Sequence, residues 1–278
     1  MKTLLTLLPA LVAAAACAGV RVPMDVRANG MHLADGTVDG VPCRLLVDTG
    51  ATHTTFDLAF VTNRLPAARL EDVKIVGETN VGFAPKCFYR AAFRLGGHAF
   101  PAQGAMAVPL DGLHASIGER IDGVLGMSDL ATADFILRDR EIEFTPDASV
   151  CASFGPDRRR GGDPLTPQVA GRHAGREIAF LVDSGSSFTF VNTALWEATT
   201  NAVDLTATEI SGRSDLAPHL GVAGELDLGV AFTLRPMVSA RPVNYLGADF
   251  LKVGEILFRA RGGAISFRRA GGPAPAGP

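Results

Sequence analysis

Two stretches of the chain, "FILRDREIEF" from Phe135 and "EILFRARGGAISF" from Glu255, alternate apolar and polar residues on either side of a turn, and this period of two predicts a β-hairpin in each. Other apolar runs are shorter. "LLVDTGATHTTF", residues 45–56, carries apolar residues straight into Asp48-Thr49-Gly50, as a strand does where it ends in a turn. Two short helices are expected, "LAFVTNRL" behind Asp57 and "TALWEATT" behind Asn192, with those two residues as N-caps. Trp196, inside the second, reads as core. With 31 Gly and 17 Pro against one Trp and two Tyr, the chain is made of many short elements joined by turns, more β than α.

The strand ending at Asp48 has a second copy. "GREIAFLVDSGSSFTFVN" lies over "GVPCRLLVDTGATHTTFD" at a constant offset of 135 residues, which relates Asp183 to Asp48, Gly175 to Gly40, Leu181 to Leu46, Val182 to Val47, Gly185 to Gly50, Thr189 to Thr54 and Asn192 to Asp57. Downstream, "RLGGHAF" (94–100) is echoed by "DLGVAF" (227–232) and "GVLGMSDL" (123–130) by "NYLGADFL" (244–251), before each copy closes with its alternating hairpin. The halves are therefore two β-rich lobes of one design, expected over residues 22–147 and 168–269. Residues 148–167 have the composition of a linker, with Arg158-Arg159-Arg160 solvated, and 270–278 that of a disordered tail.

A chain of 278 residues that is 47% hydrophobic supports a proper core. Its formal net charge of -3, from 26 basic and 29 acidic residues, leaves no electrostatic footprint for nucleic acid. Lys2 precedes an apolar run from Leu4 to Ala16 that is short for a bilayer and ends in small residues, as an export signal over residues 1–18 would. Two processing routes are open. One is cleavage after Ala18; the other is cleavage before Cys17 with lipid attached to that cysteine, since "AAAC" resembles a lipobox. The expected location is periplasmic, secreted or lipid-anchored. Cys43, Cys87 and Cys151 remain beyond the signal region, an odd number that leaves at least one thiol without an intramolecular partner. No C-x-x-C or H-E-x-x-H spacing occurs and the histidines are scattered, so neither a metal nor an organic cofactor is expected.

Two copies of an apolar pair followed by Asp-Thr/Ser-Gly, each with a later apolar-Leu-Gly segment, resemble the aspartic proteases of the pepsin and retropepsin kind. "LLVDTGA" and "GVLGMSDL" look most like compact bacterial retropepsin-like lobes, while two such lobes in one chain resemble pepsin. The likeness covers nearly all of the chain beyond the signal region. It implies an all-β fold of two lobes related by a pseudo-two-fold axis, a monomer, and a peptide or protein substrate in the cleft. Asp48 and Asp183 would meet on the cleft floor and share a proton, because two adjacent carboxylates cannot both ionise. Gly50 and Gly185 would let the backbone turn tightly. The hydroxyls of Thr49 and Ser184 would bond across the pseudo-dyad. A strand through Leu125-Gly126 or Leu246-Gly247 would pass behind each loop. Asp129 and Asp249 read as local caps.

Three departures from pepsin stand out. Ala51 replaces a hydroxyl that Ser186 retains, as retropepsins do. The asymmetry predicts that Ser186 stabilises an ionised Asp183 and leaves the proton on Asp48, with activity at about pH 4 to 6.5. Neither Tyr89 nor Tyr245 lies in a flap context, so the candidate flap is "VGETNVGF" (76–83), with Gly77, Gly82 and Phe83. The chain is also short for a pepsin. An aspartic endopeptidase is the expected function. The alternatives are an inactive peptide-binding pseudoprotease of the same fold, and a β-sandwich in which both motifs are plain turns capped by their own Asp.

Overall fold

The computed structural model describes residues 19–73, 85–202, 205–209, 212–216, 218–240 and 242–271. It is 44% strand and 12% helix, with curled sheets forming half-barrels, which places the chain in the all-β class. The first large sheet runs in the order Glu71–Asp72, Lys86–Arg90, Gln103–Val108, Thr55–Asp57, Gly123–Leu125, Val41–Val47, His32–Val38, Phe93–Leu95, His98–Phe100, with Asp25–Val26 also pairing to His32–Val38. The second runs Ala198–Ala202, His219–Gly221, Met237–Ser239, Phe190–Asn192, Tyr245–Leu246, Arg176–Val182, Gln168–His173, Gly224–Asp227, Ala231–Leu234, with Arg159–Arg160 also pairing to Gln168–His173. The two orders match strand for strand. They also share their parallel pairs: Gly123–Leu125 lies parallel to Val41–Val47 as Tyr245–Leu246 does to Arg176–Val182.

Burial explains the apolar run before Asp48. Leu45 and Val47 point into the main core while Leu46 joins a second apolar cluster, with Leu33, Val108 and Leu113, on the opposite face of the sheet. A strand covered on both faces needs apolar residues at successive positions rather than alternate ones. Burying each Leu contributes about 1.5–3 kcal/mol, and the strand that ends at Asp48 is held firmly up to its last residue.

The two alternating hairpins form as expected, but they do not close separate lobes. Phe135–Arg138 pairs with Gly254–Phe258, so both hairpins join one five-stranded sheet, edged by Val20–Pro23, that spans the halves. Arg138 fastens it, donating to Glu141 (2.9 Å) and Glu143 (2.7 Å) on its own hairpin and to Glu255 (2.9 Å) on the other. Arg268 donates to Glu255 as well (2.7 Å).

Several local expectations need correction. Leu58–Arg64 is helical, but the Asp57 side chain does not cap it; it accepts from the Leu110 amide (3.4 Å) and pairs with Arg120 (3.2 Å). No helix follows Asn192, whose side chain accepts from the Ala194 amide (2.8 Å) in a turn, and Ala198–Ala202 continues as an edge strand. Thr199 suits that strand through its β-branching, which stiffens χ1. Trp196 is buried core: it stacks on His173 with centroids 3.6 Å apart, and its indole N–H donates to the Val222 carbonyl (2.8 Å). Residues 148–167 hold a one-turn helix, Ala148–Cys151, and Arg159 donates to the Gly263 carbonyl (2.6 Å), so the arginine run is not simply solvated. Cys43, Cys87 and Cys151 are all free thiols; burial pushes the Cys43 thiol up to about 12, which makes it a small apolar core group rather than a nucleophile.

Candidate active site

Each aspartate sits one residue past the end of a central strand and is pinned by the strand behind it. The Asp48 amide donates to the Leu125 carbonyl (3.0 Å), and the Asp183 amide donates to the Leu246 carbonyl (3.0 Å). Farther along the loops, the Met127 amide donates to Ala51 O (2.8 Å) and the Ala248 amide to Ser186 O (2.7 Å). These contacts require the loop and the strand behind it to approach closely. A Cβ on Gly126 would lie 2.6 Å from the His53 carbonyl, and one on Gly247 would lie 2.3 Å from that of Phe188.

The loops are joined to each other by a symmetric set of four hydrogen bonds. The Thr49 amide donates to Ser184 Oγ (3.0 Å), and the Ser184 amide donates to Thr49 Oγ1 (3.1 Å). Each hydroxyl then passes its own proton on, Thr49 to the Val182 carbonyl (2.8 Å) and Ser184 to the Val47 carbonyl (2.9 Å). Both side chains are buried, so either hydroxyl removed would strand two partners away from water.

This grip brings Asp48 and Asp183 together with their carboxyl groups hydrogen-bonded to one another. Gly50 and Gly185 make room for them. Neither glycine has a left-handed φ, so a tight turn is not what selects them. A Cβ on Gly50 would lie 2.4 Å from the Asp183 carboxyl, and one on Gly185 would lie 2.4 Å from that of Asp48. The amides of Gly50 (2.8 Å) and Ala51 (3.1 Å) donate to Asp48, and those of Gly185 (3.1 Å) and Ser186 (3.0 Å) donate to Asp183.

Desolvation raises both carboxyls above their ordinary value, and the neighbouring Asp48 charge raises Asp183 further. The two carboxyls therefore hold one proton between them as a coupled pair, and the Ser186 hydroxyl, expected to stabilise an ionised Asp183, is turned away from it. That hydroxyl donates to the Phe188 carbonyl (2.9 Å), and Ser186 serves the dyad through its amide instead. By the same pseudo-symmetry, a serine at 51 would donate to the His53 carbonyl. Ala51→Ser and Ser186→Ala should each leave the acid limb of a pH–rate profile within a few tenths of a unit of the parent. A larger acid shift in Ala51→Ser would place its new hydroxyl on the dyad after all.

The candidate flap with Gly77, Gly82 and Phe83 lies outside the described residues, as does Cys17. The second lobe has a feature that the sequence reading missed. Between Ala198–Ala202 and His219–Gly221, where the first lobe would carry that flap, the strands Leu205–Glu209 and Gly212–Leu216 form a hairpin. Leu205–Glu209 meets the first-lobe helix Asp111–Ile117. The signal was present in "LTATEISGRSDL", whose Ser-Gly follows a run with Thr206, Thr208 and Ile210.

Residues 34–128 match the sequence model of a family described as aspartyl protease. Over these residues the chain is similar to the retropepsin-like aspartic proteases. The matched segment runs from within His32–Val38 to Ser128, so it takes in Asp48, the strand that leads to it and the crossing at Gly126. A comparison with curated proteins gives no match. Among the described residues no cluster of His, Cys, Asp and Glu could hold a metal ion, and no helix is long and apolar enough to cross a membrane.

Proposed function

We propose that this protein is an exported endopeptidase that hydrolyses peptide bonds with water activated between Asp48 and Asp183. The observation that carries the proposal is the hydrogen-bonded pair of carboxyls, one from each lobe, with raised affinity for a single shared proton. In the reaction, Asp48 takes a proton from water as the water oxygen bonds to the substrate carbonyl carbon. Asp183 gives its proton to the carbonyl oxygen, forming a neutral gem-diol. Collapse of the gem-diol breaks the C–N bond, with a proton passing to the departing amine, and the dyad is left with one proton as before. The amides on both carboxylates and the Thr49–Ser184 grip hold the pair so that little reorganisation is needed.

The desolvation cost of two adjacent carboxylates supports turnover over mere binding, because a peptide cleft alone needs no such pair. The apolar run before Ala16 supports export, with lipid on Cys17 as one route. Digestion of a mixed peptide library across pH 3 to 8, with pepstatin as a control, tests the proposal. Inhibitor-sensitive internal cleavage at mildly acidic pH is the expected result. Peptide binding without cleavage at any pH would favour the pseudoprotease instead.

A further inference from the structure

The segments behind the two active loops differ in what receives the threonine that follows each loop. In the first lobe the Thr54 amide donates to Ser128 Oγ (3.0 Å), and Thr54 Oγ1 accepts from the Gly126 amide (3.1 Å). In the second lobe Thr189 Oγ1 likewise accepts from the Gly247 amide (3.1 Å), but the Thr189 amide donates to a carboxylate, Asp249 Oδ1 (2.8 Å). The Thr189 hydroxyl donates to the same oxygen (2.7 Å). Ser128 and Asp249 are therefore structural counterparts.

We propose that Asp249 is a positioning residue that acts through Thr189 to hold the Asp183 loop with a titratable carboxylate, where the first lobe uses an uncharged hydroxyl. Thr189 is buried, and its hydroxyl donates to Asp249 while it accepts from the Gly247 amide, so the state of Asp249 is passed to the strand behind Asp183. A charged acceptor holds these donors about twice as strongly as a neutral one. Burial raises the Asp249 pKa and Lys252, on the same turn, opposes that rise. The loop it holds carries Asp183, with Asp48 beyond. As pH falls, Asp249 takes a proton and its grip on Thr189 weakens, while the Ser128–Thr54 bond is unaffected. The second half of the dyad thus loosens in acid and the first does not.

The proposal rests on the protease reading for its catalytic consequence but not for its structural one, and the experiment separates the two. Amide exchange in the intact protein, expressed as protection factors, should show Thr189 and Gly247 losing roughly tenfold in protection between pH 6.5 and 4, the difference between a charged and a neutral acceptor. Thr54 and Gly126 should hold steady. In Asp249→Asn, and in Asp249→Ser, which copies the first lobe, the pH dependence at Thr189 and Gly247 should vanish. With a peptide substrate, both variants should lower kcat several-fold with KM little changed, and their acid limb should lose the contribution of a third carboxyl. Equal pH trends at Thr189 and Thr54 in the parent, or a trend that survives in Asp249→Ser, would overturn the proposal. Failure of the parent to cleave any peptide would instead remove the protease reading and leave the exchange comparison standing.

Discussion

Asp48→Asn and Asp183→Asn should each reduce peptide hydrolysis on the order of 10⁴-fold, and the double variant should be no slower than either single one. Both carboxyls act on one transition state, so the loss of the second group finds nothing left to remove. The same substitutions should raise stability at neutral pH. Each carboxyl titrates near 3.8 when unfolded and above that in the fold. A group whose folded pKa is raised contributes stability that is complete below 3.8 and is lost as pH climbs through the folded value. At pH 7 the parent therefore keeps a buried charge that it would not choose, and an Asn variant does not. Melting temperatures should separate as pH rises from 4 to 7, with either variant above the parent at the upper end. A purified single variant that keeps more than about a hundredth of parental turnover would sink the assignment of both carboxyls to one step.

The fold class and the likeness to aspartic proteases were legible because the chain says the same thing twice. An offset constant over eighteen residues is hard to draw from two unrelated turns, and Asp48 and Gly50 recur as Asp183 and Gly185 behind the same Leu-Val pair. What stayed hidden depended on partners that lie far along the chain. A period of two specifies the faces of a hairpin but not the strand it will pair with, so the joining of Phe135–Arg138 to Gly254–Phe258 could not be read. The Ser186 hydroxyl was misassigned because a residue type has several acceptors within reach and only the backbone path decides among them. Asp129 was read as a local cap for another reason: its partner Arg90 lies 39 residues away, and no spacing in the sequence links the two.

Asp129 is not a local cap. It is fully buried in an ion pair with Arg90, which is also fully buried and lies over the Phe93 ring, 4.4 Å from its centroid. Gln103 donates to the same Asp129 oxygen (2.7 Å) and to the Ser128 carbonyl (3.2 Å), which ties the pair to the residue that receives the Thr54 amide. Among the described residues, Nη1 and Nε of Arg90 and Oδ2 of Asp129 have no hydrogen-bond partner, so the pair bears a desolvation cost that its mutual attraction offsets only while both members are present. Arg90→Met alone should therefore destabilise the protein by about 3–5 kcal/mol, because it leaves a carboxylate buried without a cation. For a chain of this size that is a fall in melting temperature of roughly 10 °C. Asp129→Leu alone should cost a similar amount through the stranded guanidinium. The double variant should recover most of the loss, since two apolar side chains of similar volume need no partner. The second lobe already shows that the site tolerates this: Phe250, next after Asp249 as Asp129 is next after Ser128, packs there fully buried against Phe232 and Phe267. Chemical denaturation of the three variants at one pH measures the coupling. Losses that simply add in the double variant would mean that Arg90 and Asp129 do not depend on each other, and that the first loop is held without them.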